Sequence, residues 1–522
     1  MCKIKLLMEK EYVLTMDFGT QSLRVSLIDS CGNFLICVKR KYEPSYFSSQ
    51  SGYAEQDPDY YWNTLVDALK ELTSKEKENL KYIKGASLTT FRDSSVQLDE
   101  NYKPIRNSIL WLDQRTAKAK EKLPLLHRIA FKMVGMKDTI ELNRRRTIAH
   151  WLKENEPDTW SRTRKYVNIS GYLTYKLTGN LVDSPSSVTG HYPINFKKRK
   201  WYKKGAMKGR IYGIPPHLLC DLVQPGDVMG TISKEVCDLV GLPYDIPVIS
   251  TGSDKSNETL GLGALHNNVG AISYGTASTI EVTNKRFHNP EKFLPAYPSV
   301  VPGCYNMEVQ VYRGYWMVGW FLRQFVTKDQ WQYTDVGKPI EAILDSKLMD
   351  IPPGSDGLVL QPYWGPGLSR PLSKGSIIGF SDVHTREHFY RAIVEGIAYA
   401  LREGLEGIEF SQKRFVKKLR ISGGGSQSDV ICQITADVFG LPVSRVQTYE
   451  TTSLGAAIAV FTALKRFDSF EDAVKKMVRV SSTFYPNDLA HQQYNYLYRH
   501  VYLKMFPRLK NIYKDIKNFG KR

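Results

Sequence analysis

Apolar and polar positions alternate near the start of the chain in a pattern that predicts strands. Tyr12–Met16 is a short β-prone run, DFGTQS follows, and Leu23–Asp29 resumes the alternation. After the turn tripeptide Cys31-Gly32-Asn33, Phe34–Tyr42 reads as a third strand. Far downstream the arrangement recurs: Val269–Ser273, then YGTAS, then Thr279–Thr283. Helical spacing predicts Asp57–Leu72, with Pro at its first position after an Asp cap, and also Arg386–Phe410 and Asp429–Phe439. Strands mixed with helices imply an α/β protein in two halves, divided in the Gly-rich stretch Gly261–Gly270.

Each strand pair bends at Gly-Thr, Gly19-Thr20 in the first and Gly275-Thr276 in the second. Glycine permits positive φ and close approach of a ligand, and the turn's N–H groups with the Thr hydroxyl can bond phosphate oxygens. One such bend is an ordinary hairpin turn. Two of them, one opening each half, point to lobes that face each other across a nucleotide. Asp17 closes the first strand beside its bend, either as a turn cap or as a carboxylate that holds Mg²⁺ through water. Asp254, in STGSDKSNE, follows the apolar strand Ile246–Ile249 and opens a helix, Asn257–Leu260. There it is either an N-cap or a general base at the carboxyl end of a strand, where α/β sheets bind ligands.

Three further spots carry chemistry. Arg92-Asp93 follow Ala86–Thr90 and are either a surface ion pair or a strand-end pair, Arg donating to hydroxyls and Asp accepting. Trp111, in SILWLDQRT, is a core ring or a plate for the C–H face of a sugar. Ile421-Ser422-Gly423-Gly424-Gly425-Ser426 joins the β-prone Leu419–Ile421 to the helix Asp429–Phe439, an arrangement that aims free N–H groups at an anion. It is neither a Walker A loop nor G-x-G-x-x-G.

Composition narrows the setting. The chain has 522 residues, enough for two to four domains, with 42 % apolar and 24 % charged residues, as in a folded protein. The longest mostly apolar stretch, Leu454 to Leu464, is too short to span a membrane, and MCKIKLLMEKEY lacks the apolar core of a signal peptide. Seven scattered cysteines without C-x-x-C suit a reducing cytoplasm. The abnormal number is the formal charge of +19. Much of it lies in Phe196–Arg210, with eight basic residues and no acid, and in His491–Arg522, with eight against the single Asp515. The sharpest nucleic-acid candidate, FKKRKWYKKGAMKGR with Trp201 and Tyr202 interleaved, is outweighed by a solvated basic loop.

DFGTQSLR, LTTFRDSSVQLDENYKPIRNSILWLDQRT, STGSDKSNETLGLGA, SYGTAST, GSIIGFSDVHTREHFYRAIVEGIAYAL, ISGGGSQSD and TSLGAAIA together resemble the FGGY carbohydrate kinases in order and spacing, from Tyr12 to Phe461. The resemblance implies two actin-like (ribonuclease H-like) lobes with a cleft for ATP and substrate between them: an N-terminal lobe over 1–265, a C-terminal lobe over 266–490 and a basic C-terminal helix or tail over 491–522. It further implies that Asp254 is the general base and that Asp17 positions Mg²⁺. Gly19, Thr20, Gln21 and Arg24 match phosphate-side residues of the first hairpin, and Gly275 and Thr276 those of the second. Gly424 and Ser428 fall where the family binds adenosine, and Arg92, Asp93 and Trp111 match substrate positions. The implied activity is transfer of the γ-phosphate of ATP to a sugar or polyol, a pentulose such as xylulose among them.

Departures from the family pattern cluster around the substrate. Arg92-Asp93 resembles the Arg-Glu of glycerol kinases, whereas SGYAEQDPDYYW and ILWLDQRT resemble xylulose kinases. Ile148 replaces an expected lysine, Asn143 stands near a substrate-contacting tyrosine position, Phe380 replaces a smaller aliphatic, and GPGLSRP lacks a Gly-Glu-Arg run. A nucleotide-binding sensor or scaffold that lost turnover is the competing expectation. The expected partners are the sugar or polyol and ATP, with a homodimer allowed, no nucleic acid as main partner and no membrane.

Overall fold

The computed structural model describes residues 10–291, 294–325, 345, 347–365, 367, 370 and 372–519. The first nine residues of the opening segment, the last three of the basic tail and part of GPGLSRP lie outside the described residues. The chain divides into two compact units. One comprises Met1–Gly261, Tyr297–Tyr305 and Glu450–Val478; the other comprises Leu262–Ala296, Asn306–Tyr449 and Arg479–Arg522.

The first unit is built on strands β1 (Tyr12–Phe18), β2 (Ser22–Asp29), β3 (Phe34–Lys41), β4 (Ile83–Thr90), β5 (Val228–Thr231) and β6 (Pro247–Ile249). They lie in the order β5-β6-β4-β1-β2-β3. β1 and β2 form an antiparallel hairpin, while β1, β4 and β6 run parallel. All seven residues of β1 are buried, as expected of a central strand covered on both faces. At the edge, β3 alternates exposed positions with half-buried ones, among which only Val38 is fully buried. Helix Pro58–Lys75 starts where the sequence predicts, with Asp57 accepting from the Asp59 N–H and Pro at its first turn.

The second unit repeats this plan. β7 (Val269–Tyr274), β8 (Ser278–Asn284), β9 (Tyr305–Val311), β10 (Lys418–Gly423), β11 (Val443–Val446) and β12 (Val480–Phe484) lie in the order β9-β8-β7-β10-β11-β12. Again a hairpin, β7-β8, is followed by parallel neighbours β10 and β11 and an antiparallel edge strand, β12. The two sheets therefore share one strand order, and each half opens on a hairpin.

Chain order and fold diverge at two places. The sequence reading puts everything after residue 265 outside the first lobe, yet helix Thr451–Ala463 belongs to the first unit. Its residues Thr451, Ser453–Phe461 are buried, and Val460 lies beside Gly85 of β4. An almost uniformly apolar helix needs cover on most faces, and this sheet provides it. The basic C-terminal segment is likewise part of the second unit. Tyr498 and Tyr502 are fully buried against Tyr399 of helix Arg386–Gln412, with ring centroids 5.7 and 5.3 Å away. Among the described residues no helix is long and apolar enough to cross a membrane.

Candidate active site

Because β1, β4 and β6 are parallel, their carboxyl ends lie along one edge of the first sheet, the edge at which open α/β sheets bind ligands. Asp17 with the Gly19-Thr20 bend, Arg92-Asp93 and Asp254 all follow from those three strand ends. The topology thus gathers residues that stand far apart in sequence.

At the first hairpin, Asp17 pairs in register with Arg24, and Gly19 N–H closes the turn on the Ser22 carbonyl at 3.0 Å. Arg24 Nη1 lies 3.9 Å from Asp17 Oδ2, and its Nε lies 2.5 Å from Glu450 Oε2. Asp17 is buried, and loss of hydration pushes its carboxyl up to about 7; Arg24 pulls it down, and the charges of Asp254, Glu450 and Glu258 push it up. A carboxylate so situated favours a bound cation. Among the described residues no three His, Cys, Asp or Glu form a metal cage. A hard cation at Asp17 would therefore draw its remaining oxygens from water and phosphate, which suits Mg²⁺. The Thr20 hydroxyl accepts from the Trp111 indole N–H at 3.1 Å, and Gln21 is exposed.

Asp254 is the first residue of helix Asp254–Gly261, and its Oδ1 accepts from the Lys255 N–H at 2.8 Å. Burial raises the pKa of its carboxyl, while Arg92 and Lys255 draw it back. Asn257 fixes this helix to the sheet, donating to Thr89 Oγ1 at 2.8 Å and to the Gly252 carbonyl at 2.9 Å. A second helix, Thr451–Ala463, begins at Glu450 and lies directly against the first. A Cβ on Gly455 would stand 1.8 Å from the Asn257 carbonyl oxygen, and one on Gly261 would stand 1.9 Å from that of Thr451. Only glycine allows this backbone contact, and the second helix also reaches Asp254, whose carbonyl accepts from Thr452 Oγ1 at 3.5 Å.

Arg92 lies over the Tyr297 ring, 5.5 Å from its centroid. The Asp93 carboxylate, expected to accept from substrate hydroxyls, is also bonded to His191. Its Oδ1 accepts the His191 N–H at 2.8 Å, and Oδ2 lies 2.7 Å from Nδ1. Gly190 makes this approach possible: it has φ +99°, and a Cβ there would lie 2.3 Å from Asp93 Cγ. Trp111 is half-buried against the core, its backbone N–H bonded to Ser94 Oγ at 3.0 Å.

In the second unit the Gly275-Thr276 bend is partly exposed, and its carbonyls accept from Tyr315 and Trp316 N–H at 3.2 and 3.4 Å. The glycine turn forms a short 3₁₀ segment, Gly424–Gln427, ahead of helix Asp429–Phe439. Gly424 faces the Tyr315 ring. The Ser428 hydroxyl caps this helix by accepting from the Ile431 N–H at 3.2 Å. Its side chain thus has a helix-capping use beside any contact with adenosine.

Two residues of the site escape sequence reasoning. Glu450 meets Arg24 from the far end of the chain, with no local signal beyond the acid before TTSLGAAIA. His191 carries a weak one, the Gly190-His191 pair after a Ser/Thr-rich run.

The N-terminal domain of the FGGY family of carbohydrate kinases matches residues 12–261, and the C-terminal domain of that family matches residues 270–464. The chain belongs to the FGGY family of carbohydrate kinases, phosphotransferases with an alcohol group as acceptor. It is similar to xylulose kinase of Lactococcus lactis subsp. lactis (strain IL1403), 28 % identical over 98 % of this chain and 99 % of that protein. It is also similar to gluconokinase of Bacillus subtilis (strain 168), 25 % identical over 97 % of this chain and 98 % of the other. The fold matches the crystal structure of ligand-bound xylulose kinase from Lactobacillus acidophilus, with a TM-score of 0.80 at 22 % identity, covering 97 % of this chain and 100 % of that one.

Proposed function

We propose that this carbohydrate kinase transfers the γ-phosphate of ATP, with Mg²⁺, to a hydroxyl of a small ketose or polyol, with pentuloses such as xylulose as the leading acceptors. The observation that carries this reading is Asp254, a carboxylate at the carboxyl end of a parallel strand, with its pKa raised by burial and drawn back by Arg92. Asp254 takes the proton from the acceptor hydroxyl as its oxygen bonds to Pγ. The bond from Pγ to the ADP oxygen breaks, ADP leaves, and Asp254 returns the proton to solvent.

The other residues position and neutralise. Mg²⁺, when bound, offsets charge on the phosphates, and Asp17 would hold it through water. Gly19, Thr20, Gln21 and Arg24 serve the phosphates, as do Gly275 and Thr276. Gly424 and Ser428 serve adenosine. Arg92, Asp93 and Trp111 receive the acceptor, with His191 holding the Asp93 carboxylate in place. Similarity to both xylulose kinase and gluconokinase supports an acceptor among small polyhydroxylated compounds.

ADP release measured across glycerol, tetritols, pentitols, pentuloses, hexuloses and gluconate tests the reading. One acceptor class should turn over, and Asp254→Ala should lower kcat by roughly 10²–10⁴-fold. Undiminished acceptor-dependent turnover in that variant would remove Asp254 from the chemistry.

A further inference from the structure

Helix Leu125–Met133, which contains none of the residues assigned to the kinase reaction, presents an apolar face to solvent. Leu126 and Met133 are 79 % and 82 % exposed, and Leu125, Ile129 and the following Val134 are exposed as well. At 3.6 residues per turn, Leu125, Ile129, Met133 and Leu126 fall within one arc of about 100°. On the other side of the helix, Phe131 is buried with Leu123, Ile140 and Ile211 in a small cluster. The helix therefore has one face docked on the protein and a separate apolar face turned outward.

Cations flank that outward face on the helix and in the adjoining chain. Arg128 and Lys132 border the arc, Lys118, Lys120 and Lys122 precede it and Lys137 follows, all exposed. Residues 118–137 hold these six cations and a single acid, Glu121. The segment is held in place, since Glu154 accepts the backbone N–H of Lys118 and Lys120 at 2.8 Å each, and Arg144 donates to the Glu121 carbonyl. An apolar arc bordered by Lys and Arg has the chemistry of a helix that lies in a lipid–water interface, with its side chains at the acyl boundary and its cations against lipid phosphates.

We propose that this face binds the surface of an anionic membrane, so that the kinase is a peripheral membrane protein. Such binding needs no spanning segment. A second copy is the poorer occupant, because a two-fold contact would set the same six cations against each other.

Flotation of the full-length protein with vesicles tests the proposal. Vesicles of phosphatidylcholine containing roughly 30 % phosphatidylglycerol should carry at least about ten-fold more protein than phosphatidylcholine alone. The double variant Leu126→Asp/Met133→Asp should lose that binding about ten-fold, with far-UV circular dichroism and acceptor-dependent ADP release unchanged. The separate variant Arg128→Glu/Lys132→Glu should lose the preference for anionic lipid. Equal recovery on both vesicle types, recovery on neither, or a double variant that floats like the parent would overturn the proposal. So would a dimer in sedimentation velocity that Leu126→Asp dissociates, which would assign the face to a second copy.

Discussion

Asp183 and Asp17 are buried carboxyls whose proton affinity rises chiefly through loss of hydration. Burial pushes Asp183 up to about 7 against three hydrogen bonds, from Ser170 Oγ and the N–H groups of Ser184 and Gly171. Asp17 reaches a similar value because neighbouring carboxylates add to its burial. In both, the folded state holds its proton more tightly than the unfolded chain does. Their contribution to stability is therefore full below the ordinary Asp range and is lost as pH rises towards about 7. One such group changes stability by at most about 1.4 kcal/mol per pH unit. The thermal midpoint should fall between pH 5 and 7 through this contribution, and Asp183→Asn should flatten the fall; equal slopes in the two proteins would exclude Asp183 as its source. The effect bears on the site, because Ser184 Oγ donates to the Thr251 carbonyl at 2.6 Å and the Ser186 carbonyl accepts from Ser253 N–H, in the loop that leads to Asp254.

The pair of helices Asp254–Gly261 and Thr451–Ala463 is the element on which the acid of the site depends. Their contact leaves no room for a methyl group at Gly455 or Gly261. Gly455→Ala should cost about 1–3 kcal/mol by overpacking and should lower turnover by moving Asp254; a thermal midpoint and kcat both at parental values would contradict this. Elements of this kind are only half legible in a sequence. Helix Asp429–Phe439 is found at both ends from its own caps, Ser428 and Gly440, and β7, β8 and the first hairpin follow from alternation. Those signals are local. The Gly261–Gly455 contact, the Arg24–Glu450 pair and the bonding of Asp93 to His191 join residues that no period or cap links. Trp111 shows the same limit: an apolar ring is foreseeable, but not that its N–H holds Thr20. Motif order placed Asp17, Arg92 and Asp254 as candidates, and parallel strand order explains why they share a sheet edge.

Across the whole molecule much of the +19 charge lies in Phe196–Arg210 and His491–Arg522, and some of the side chains there have local uses. Trp201, the ring that would have stacked on bases, donates its indole N–H to the Cys220 carbonyl at 2.7 Å, and Arg199 donates to the Cys304 carbonyl. Retention on heparin should accordingly be weak and lost by about 200 mM salt; retention well above that would restore the nucleic-acid reading. The units themselves are not continuous in sequence, since the first needs helix Thr451–Ala463, some two hundred residues after Gly261. On a ribosome adding about 5–20 residues per second, that helix emerges about 10–40 s after the sheet it covers. Throughout that interval the nascent sheet carries bare apolar surface over β1 and β4, so the chain's need for chaperones is greatest before its second half is finished.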